Sequence, residues 1–443
     1  MATPFPLGDE PSLPEELAKL LEQLGGPNML RQIRGAMSGR GRPVDWDLAR
    51  QVAIELAAEG DRPPTAERVR KAEEAQRLAE HWLDEGGLPA PGEAGALVVA
   101  SRQTWVNAAL DGLRPLVEPV AVASVRALGE LLTGQLGQFD VALTHVGPLR
   151  ALLEPMGGVL MGLQAGQVIG QLARRMLGQF DLGIPTADRT SSYHISVNVE
   201  EAFEGYDLDP TEVAIAIALH EGAHRREYHA LPWLTGHLQG LVKAFADGMR
   251  IDADEVLEAS REIIAGVDPD DPDSLRAAME RAGQIRLEPT PEQRRVLERI
   301  QGLVCLLQAW ARREVHAAAA PRLPNLQRIE EVLRRRRAEQ GPGERLLATL
   351  LGLDLKPDDE ALGDRFVAAV YESRGPEGLR RSFAHPENLP DAEELATPGQ
   401  WLARLAEGGQ VPDDPAYLFR LGDAPVEPPA DERQPRDGDD AAN

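Results

Sequence analysis

Residues 209–230 read DPTEVAIAIALHEGAHRREYHA, and this stretch decides the fold. Asp209 is a good N-cap, Pro210 suits the first helical position, and Glu212 stands where a capping box places its acid. Val213, Ile215, Ile217 and Leu219 are apolar nearly all the way round, so the first half of the predicted helix is buried. Pro232 stops it. The second half presents His220, Glu221 and His224. Positions i and i+4 share a helix face one turn apart, so both imidazoles can reach a single tetrahedral ion, and zinc suits such nitrogens. Glu221 projects about 100° round from His220, where it can serve as general base toward a water that the ion activates. Two histidines alone would bind metal. The glutamate is what hydrolysis adds.

A strand is predicted just upstream, near 193–199. In YHISVNV, Tyr193, Ile195, Val197 and Val199 alternate with polar residues at the period of two of a half-buried strand. Its edge could take up a substrate backbone by strand addition. Elsewhere the pattern is helical. A helix is expected over 13–24, opened by Ser12 and Glu15 and closed by Gly25-Gly26, then others over 46–59 and 64–84. From about 99 to 178 helices are expected with breaks at Pro115, Pro148 and Pro155. Gly158, Gly162, Gly166 and Gly170 recur every four residues, and a ladder of residues that weaken a helix implies close approach of a second helix. After Gly205 helices run to about 384, with interruptions near 266–273 and 288–292. Residues 1–11 read as a flexible lead-in, 12–423 as a single large, mostly helical domain, and the Pro- and acid-rich 424–443 as a disordered tail.

Composition narrows the function classes. Only 4% of the residues are aromatic, against 42% hydrophobic, so the core is built from Leu, Val, Ile and Ala, which suits packed helices. The net charge of −25 repels phosphate backbones and anionic headgroups, so neither nucleic acid nor a membrane surface is expected as partner. The run Arg334–Arg337 reads as a solvated helix face. Cys305, the single cysteine, sits in an apolar stretch and reads as a buried inert thiol. With no secretion signal at the start and no apolar run of about 20 residues, a cytoplasmic location is expected.

Spacing leaves the third protein ligand open. A downstream histidine at the short spacing would need Gly at 227 and His at 230, where the chain has Glu227 and Ala230. His229 falls on the wrong face. His237, Asp247, Asp252 and Glu255 could each fold back.

Several phrases together resemble an actinobacterial family of zinc-dependent metalloproteases or hydrolases, one branch of which is associated with deazaflavin-coenzyme biosynthesis. They are GQVIGQLARRMLGQFDLGIP (166–185), VNVE (197–200), ALHEGAH (218–224), LPWLTGHL (231–238), HAAAAPRLP (316–324), LRRRRAEQGPGERLLATLLGLDLKP (333–357) and AHPENLP (384–390). The resemblance covers nearly the whole chain and implies a zincin-like, mostly α fold with a small β element. Some members resembling this branch carry Arg in place of the first histidine, whereas His220 keeps the motif intact here. The family often has Glu-Gly-Trp before the segment matching 316–324, and that Glu would be a third ligand. Here the phrase is Gln308-Ala309-Trp310, which puts a weaker, neutral donor at the position. The expected function is a zinc-dependent metallohydrolase acting on a peptide or protein, with His220 and His224 as ligands, Gln308 at the third position and Glu221 as base. The alternative is a catalytically inactive zincin-like binding or scaffold protein. Substrate identity and oligomeric state are not set by the sequence.

Overall fold

A computed structural model describes residues 42–406 apart from 87–88, 92–94, 139–145, 250–288, 342, 346 and 348–356. The expected lead-in, the helix over 13–24 and the tail over 424–443 lie outside the described residues.

Helices α1 (Trp46–Ala57) and α2 (Ala66–Leu83) are opened by Asp45 and Thr65, whose side chains accept the N–H groups of Leu48 and Arg68. A short strand β1 (Leu97–Ala100) leads into α3 (Arg102–Gln138), and α4 (Val146–Ala173) follows. The breaks expected at Pro115 and Pro155 do not occur: both residues lie inside continuous helix. An interior proline costs about 3 kcal/mol. Leu113, Leu116, Val117 and Val120 are buried around Pro115 and Pro119, and at about 1.5–3 kcal/mol per buried side chain they outweigh that cost. Pro148 falls in the first turn of α4, where no hydrogen bond is lost.

The glycine ladder of α4 does what its spacing implies. A Cβ on Gly158, Gly162 or Gly166 would sit 2.4, 2.5 or 2.7 Å from the carbonyl oxygens of Arg42, Asp45 and Ala49, on or just before α1. Gly158 also accepts a hydrogen bond from the Asp45 N–H at 2.9 Å. Only glycine lets the two helices close to this distance.

Strand β2 (Ser192–Ile195) pairs with β1 in parallel, Leu97 opposite Ser192 and Ala100 opposite Ile195. The strand is thus shorter than the alternation over 193–199 suggests. Helix α5 (Ser196–Phe203) begins at once, and its Val197, Asn198, Val199 and Ala202 are all buried. Alternation continued past the strand because this short helix is enclosed on most of its faces.

Helix α6 (Pro210–Ala230) follows, capped by Asp209, which accepts the Thr211 N–H. Next come α7 (Trp233–Asp247), α8 (Pro291–Ala319) with a Thr290–Gln293 capping box, and α9 (Leu326–Glu339). The last are α10 (Pro357–Ser382), kinked at Gly375, α11 (Ala392–Ala396) and α12 (Pro398–Ala406). Two apolar clusters form the core. The larger joins α1, α3, α4, α7, α8 and α10. The smaller surrounds α6 with Ala75, Ala79 and Leu83 of α2, Ala311 and Val315 of α8, and Ile329 and Leu333 of α9. Buried Arg225 and Arg226 of α6 pair with Glu80 at 2.6 and 2.8 Å, and Arg226 also with Asp84 at 2.6 Å. These pairs fix the rotation of α6 about its own axis, because unpaired guanidinium groups could not stay buried.

Candidate metal centre

Held in that rotation, α6 turns His220, Glu221 and His224 toward a small cavity of about 40 Å³. Its other walls are Phe180 and Asp181 from the loop after α4, Gln308 and Arg312 from α8, and Leu333 and Arg337 from α9. The structure thus brings together all four residues singled out in the sequence, Gln308 included. Of the other candidates, His229 is exposed, His237 packs edge-on against Trp233, and Asp247 pairs with Lys243 on the surface. Asp252 and Glu255 lie outside the described residues. Among the described residues, no three His, Cys, Asp or Glu side chains form a group that could hold a metal.

The two histidines differ in their partners. His224 stacks on Phe180 with ring centroids 5.7 Å apart, and its Nδ1 lies 2.8 Å from Oε2 of Glu227. Burial, with Glu314 acting in the same sense, pushes the Glu227 carboxyl well above the usual carboxylate range. In its ionised form it accepts the Nδ1 proton and leaves Nε2 with its lone pair free. His220 has a buried Nε2 with no hydrogen-bond partner among the described residues. A buried imidazole nitrogen without a partner is costly, and a metal ion is one group that would satisfy it. Burial holds both rings neutral: it takes His220 well below the usual imidazole range and His224 down to about 3, with nearby Arg337 and Arg312 acting in the same sense. Neutral imidazole is the form that ligates. The two neutral histidines are of the donor type that zinc takes, and the neutral amide of Gln308 is the further side chain in the same cavity.

Glu221 also makes contacts that the sequence does not signal. Its Oε1 accepts the Phe180 N–H at 2.9 Å and its Oε2 the Tyr193 N–H at 3.2 Å. The carboxylate therefore bridges the 178–181 loop and β2. Gly178 makes room for it, since a Cβ there would lie 2.2 Å from Oε1. Burial raises the Glu221 carboxyl to about 8 against the opposing pull of the Phe180 amide, and Asp181 adds to the rise. Asp181 accepts the Leu177 N–H at 2.5 Å, and burial lifts its own carboxyl to about 6.

The bridge settles the use of the strand edge. Tyr193 donates to Glu221, and Ile195 donates to the Leu177 carbonyl at 2.9 Å, while Ser192 donates toward β1. Both amides on the outer edge of β2 are engaged, so a substrate backbone cannot add there in this conformation. This corrects the strand-addition expectation.

The family follows from the whole chain rather than from five residues. A family model described as zincin-like metallopeptidase matches residues 44–402. The chain belongs to the zincin-like metallopeptidase family. Among solved structures it is similar to a protein from Chloroflexus aurantiacus described as a "putative hydrolase with a novel fold", at 24% identity and a TM-score of 0.59, over 83% of this chain and all of that one. That likeness bears on the fold alone. No curated protein matches the chain. Membership accounts for the motif on α6 and for the mostly helical architecture. No described helix is long and apolar enough to cross a membrane.

Sequence reasoning missed four groups at the centre. Glu227 stands three residues after His224, and an acid at that spacing is a readable signal for a histidine partner. Phe180, Asp181 and Arg337 come from distant segments and carried no local signal. The solvated-face reading of the arginine run holds for Arg334 and Arg335, which pair with Glu331. It does not hold for Arg337, which lines the cavity.

Proposed function

We propose that the protein is a zinc-dependent hydrolase of peptide bonds, with His220 and His224 as metal-binding nitrogens, Gln308 beside them and Glu221 as general base. The observation that carries this reading is the unpartnered, buried Nε2 of His220 in the same cavity as His224. A zinc ion bound there would supply Lewis-acid activation of water and of the scissile carbonyl.

The chain's own residues supply the rest. Glu227 orients the His224 ring and raises the basicity of its free nitrogen. Phe180 and Tyr193 hold the Glu221 carboxylate with their backbone N–H groups, so its direction is fixed before substrate arrives. Burial raises the Glu221 carboxyl to about 8, and in the ionised form it takes a proton from water and returns it to the leaving amine. Leu333 and Ile217 line the same cavity and limit bulk water.

Cleavage of a mixed peptide library by the zinc-loaded protein, compared with Glu221→Gln, tests the reading. Loss of activity by about 10²–10⁴-fold with zinc content unchanged is expected for removal of a general base. Equal cleavage by both proteins would contradict it.

A further inference from the structure

The centre has a neighbour. A cavity of about 390 Å³, within the roughly 300–1,000 Å³ range of small-ligand sites, shares Asp181, Gln308, Leu333 and Arg337 with the metal cavity. Part of its wall is apolar, from Met176, Leu177, Leu182 and Cys305. Four arginines line it beside the carboxylates Asp181, Glu344, Glu360 and Asp364, and three of those arginines have carboxylate partners. Arg175 pairs with Glu344 at 3.0 Å, Arg337 with Glu360 at 2.8 Å and Arg334 with Glu331 at 2.7 Å.

Arg336 is the exception. It is half-buried, its Nη2 donates to the Arg175 carbonyl at 2.8 Å, and Arg175 returns a bond of 2.8 Å to the Arg336 carbonyl. Among the described residues no carboxylate lies within ion-pair distance of it. Burial and the neighbouring Arg175 hold its guanidinium below the usual arginine range, and Asp181 and Glu344 oppose them without bonding to it. A guanidinium held in a fixed place with donors to spare is the group that binds a carboxylate in planar, two-pronged fashion.

We propose that this cavity receives the C-terminal residue of a peptide, its free carboxylate on Arg336 and its side chain against the apolar wall. The proposal rests on the hydrolase reading of the adjoining centre, and it makes the enzyme one that releases terminal residues. The apolar wall favours a terminal residue over an internal acidic side chain, because only the former offers a carboxylate and an apolar group on one carbon. Beside the metal cavity a larger space of about 970 Å³, sharing His220, Arg312, Leu333 and Arg337 with it, has room for the preceding residues.

The test reads binding rather than turnover. N-acetyl-glycyl-leucine, its C-terminal amide and N-acetyl-glutamyl-leucinamide are titrated calorimetrically into the purified protein, and again after dialysis against a chelator. The proposal expects the free terminal carboxylate to bind at least about ten-fold tighter than either amide in both preparations. It expects Arg336→Gln to abolish that preference and Arg336→Lys to keep part of it, with thermal unfolding checking that each variant folds. If Arg336→Gln fails to fold, the Lys variant carries the comparison. Equal binding of acid and amide, a preference that survives Arg336→Gln, or one lost with the metal would overturn the proposal. So would tight binding of the glutamyl amide, which would assign the cavity to acidic side chains. Because no cleavage is required, a preference seen in a protein that hydrolyses nothing would refute the hydrolase and leave the subsite standing.

Discussion

Oε2 of Glu227 lies 2.8 Å from Nδ1 of His224, one turn along the same helix. Both groups are buried, and the second carboxylate oxygen, Oε1, is buried without a hydrogen-bond partner among the described residues. A carboxylate behind a ligating histidine typically contributes 10–100-fold in metal affinity. Glu227→Gln should therefore fold, keep both histidines and bind zinc about 10–100-fold more weakly in a chelator competition. Unchanged affinity would mean that Glu227 serves packing only.

Asp181 gives the metal-free protein a pH dependence. Its folded carboxyl is raised to about 6 from the usual carboxylate range, mainly by burial. The fold therefore favours the protonated form. That contribution is fully present below about pH 4 and is lost as pH rises through about 6. Asp181→Asn keeps an acceptor for the Leu177 N–H and does not ionise. In chelator-treated protein its urea midpoint should gain on wild type between about pH 4 and 6 and hold a constant lead above that. A difference independent of pH would show that Asp181 ionises in the fold as freely as in water.

The glycine ladder yields a paired stability test. A Cβ at Gly162 would stand 2.5 Å from the Asp45 carbonyl, and that oxygen belongs to the backbone that opens α1. Gly162→Ala should cost about 1–3 kcal/mol by overpacking. Gly240 of α7 has nothing within 4 Å of the same position. Gly240→Ala should stabilise by about 0.5–1 kcal/mol through helix propensity alone. Equal effects of the two changes in thermal unfolding would remove the close-approach account of the α1–α4 crossing.

The features legible in the sequence were those with a local cause. Asp209, Pro210 and the apolar turns after them announced α6, and the four-residue glycine spacing announced a helix crossing that the structure contains. Period two failed beyond Ile195 because α5 is buried on several faces at once, which alternation cannot distinguish from a strand. Pro115 misled because the break rule prices only the helix, while burial of the residues around it decides the outcome. Gln308 came to notice through family resemblance and stands in the cavity wall. The hold on Glu221 was not legible, since Phe180 is 41 residues away and offers only its backbone N–H.

The zinc content of the purified protein bears most directly on the central claim. Mass spectrometry of metal prepared without a metal-binding tag should find close to one zinc per chain, absent from a His220→Ala, His224→Ala double variant that still folds. No zinc in wild type, even after incubation with excess zinc, would contradict the account and leave a zincin-like fold without its ion.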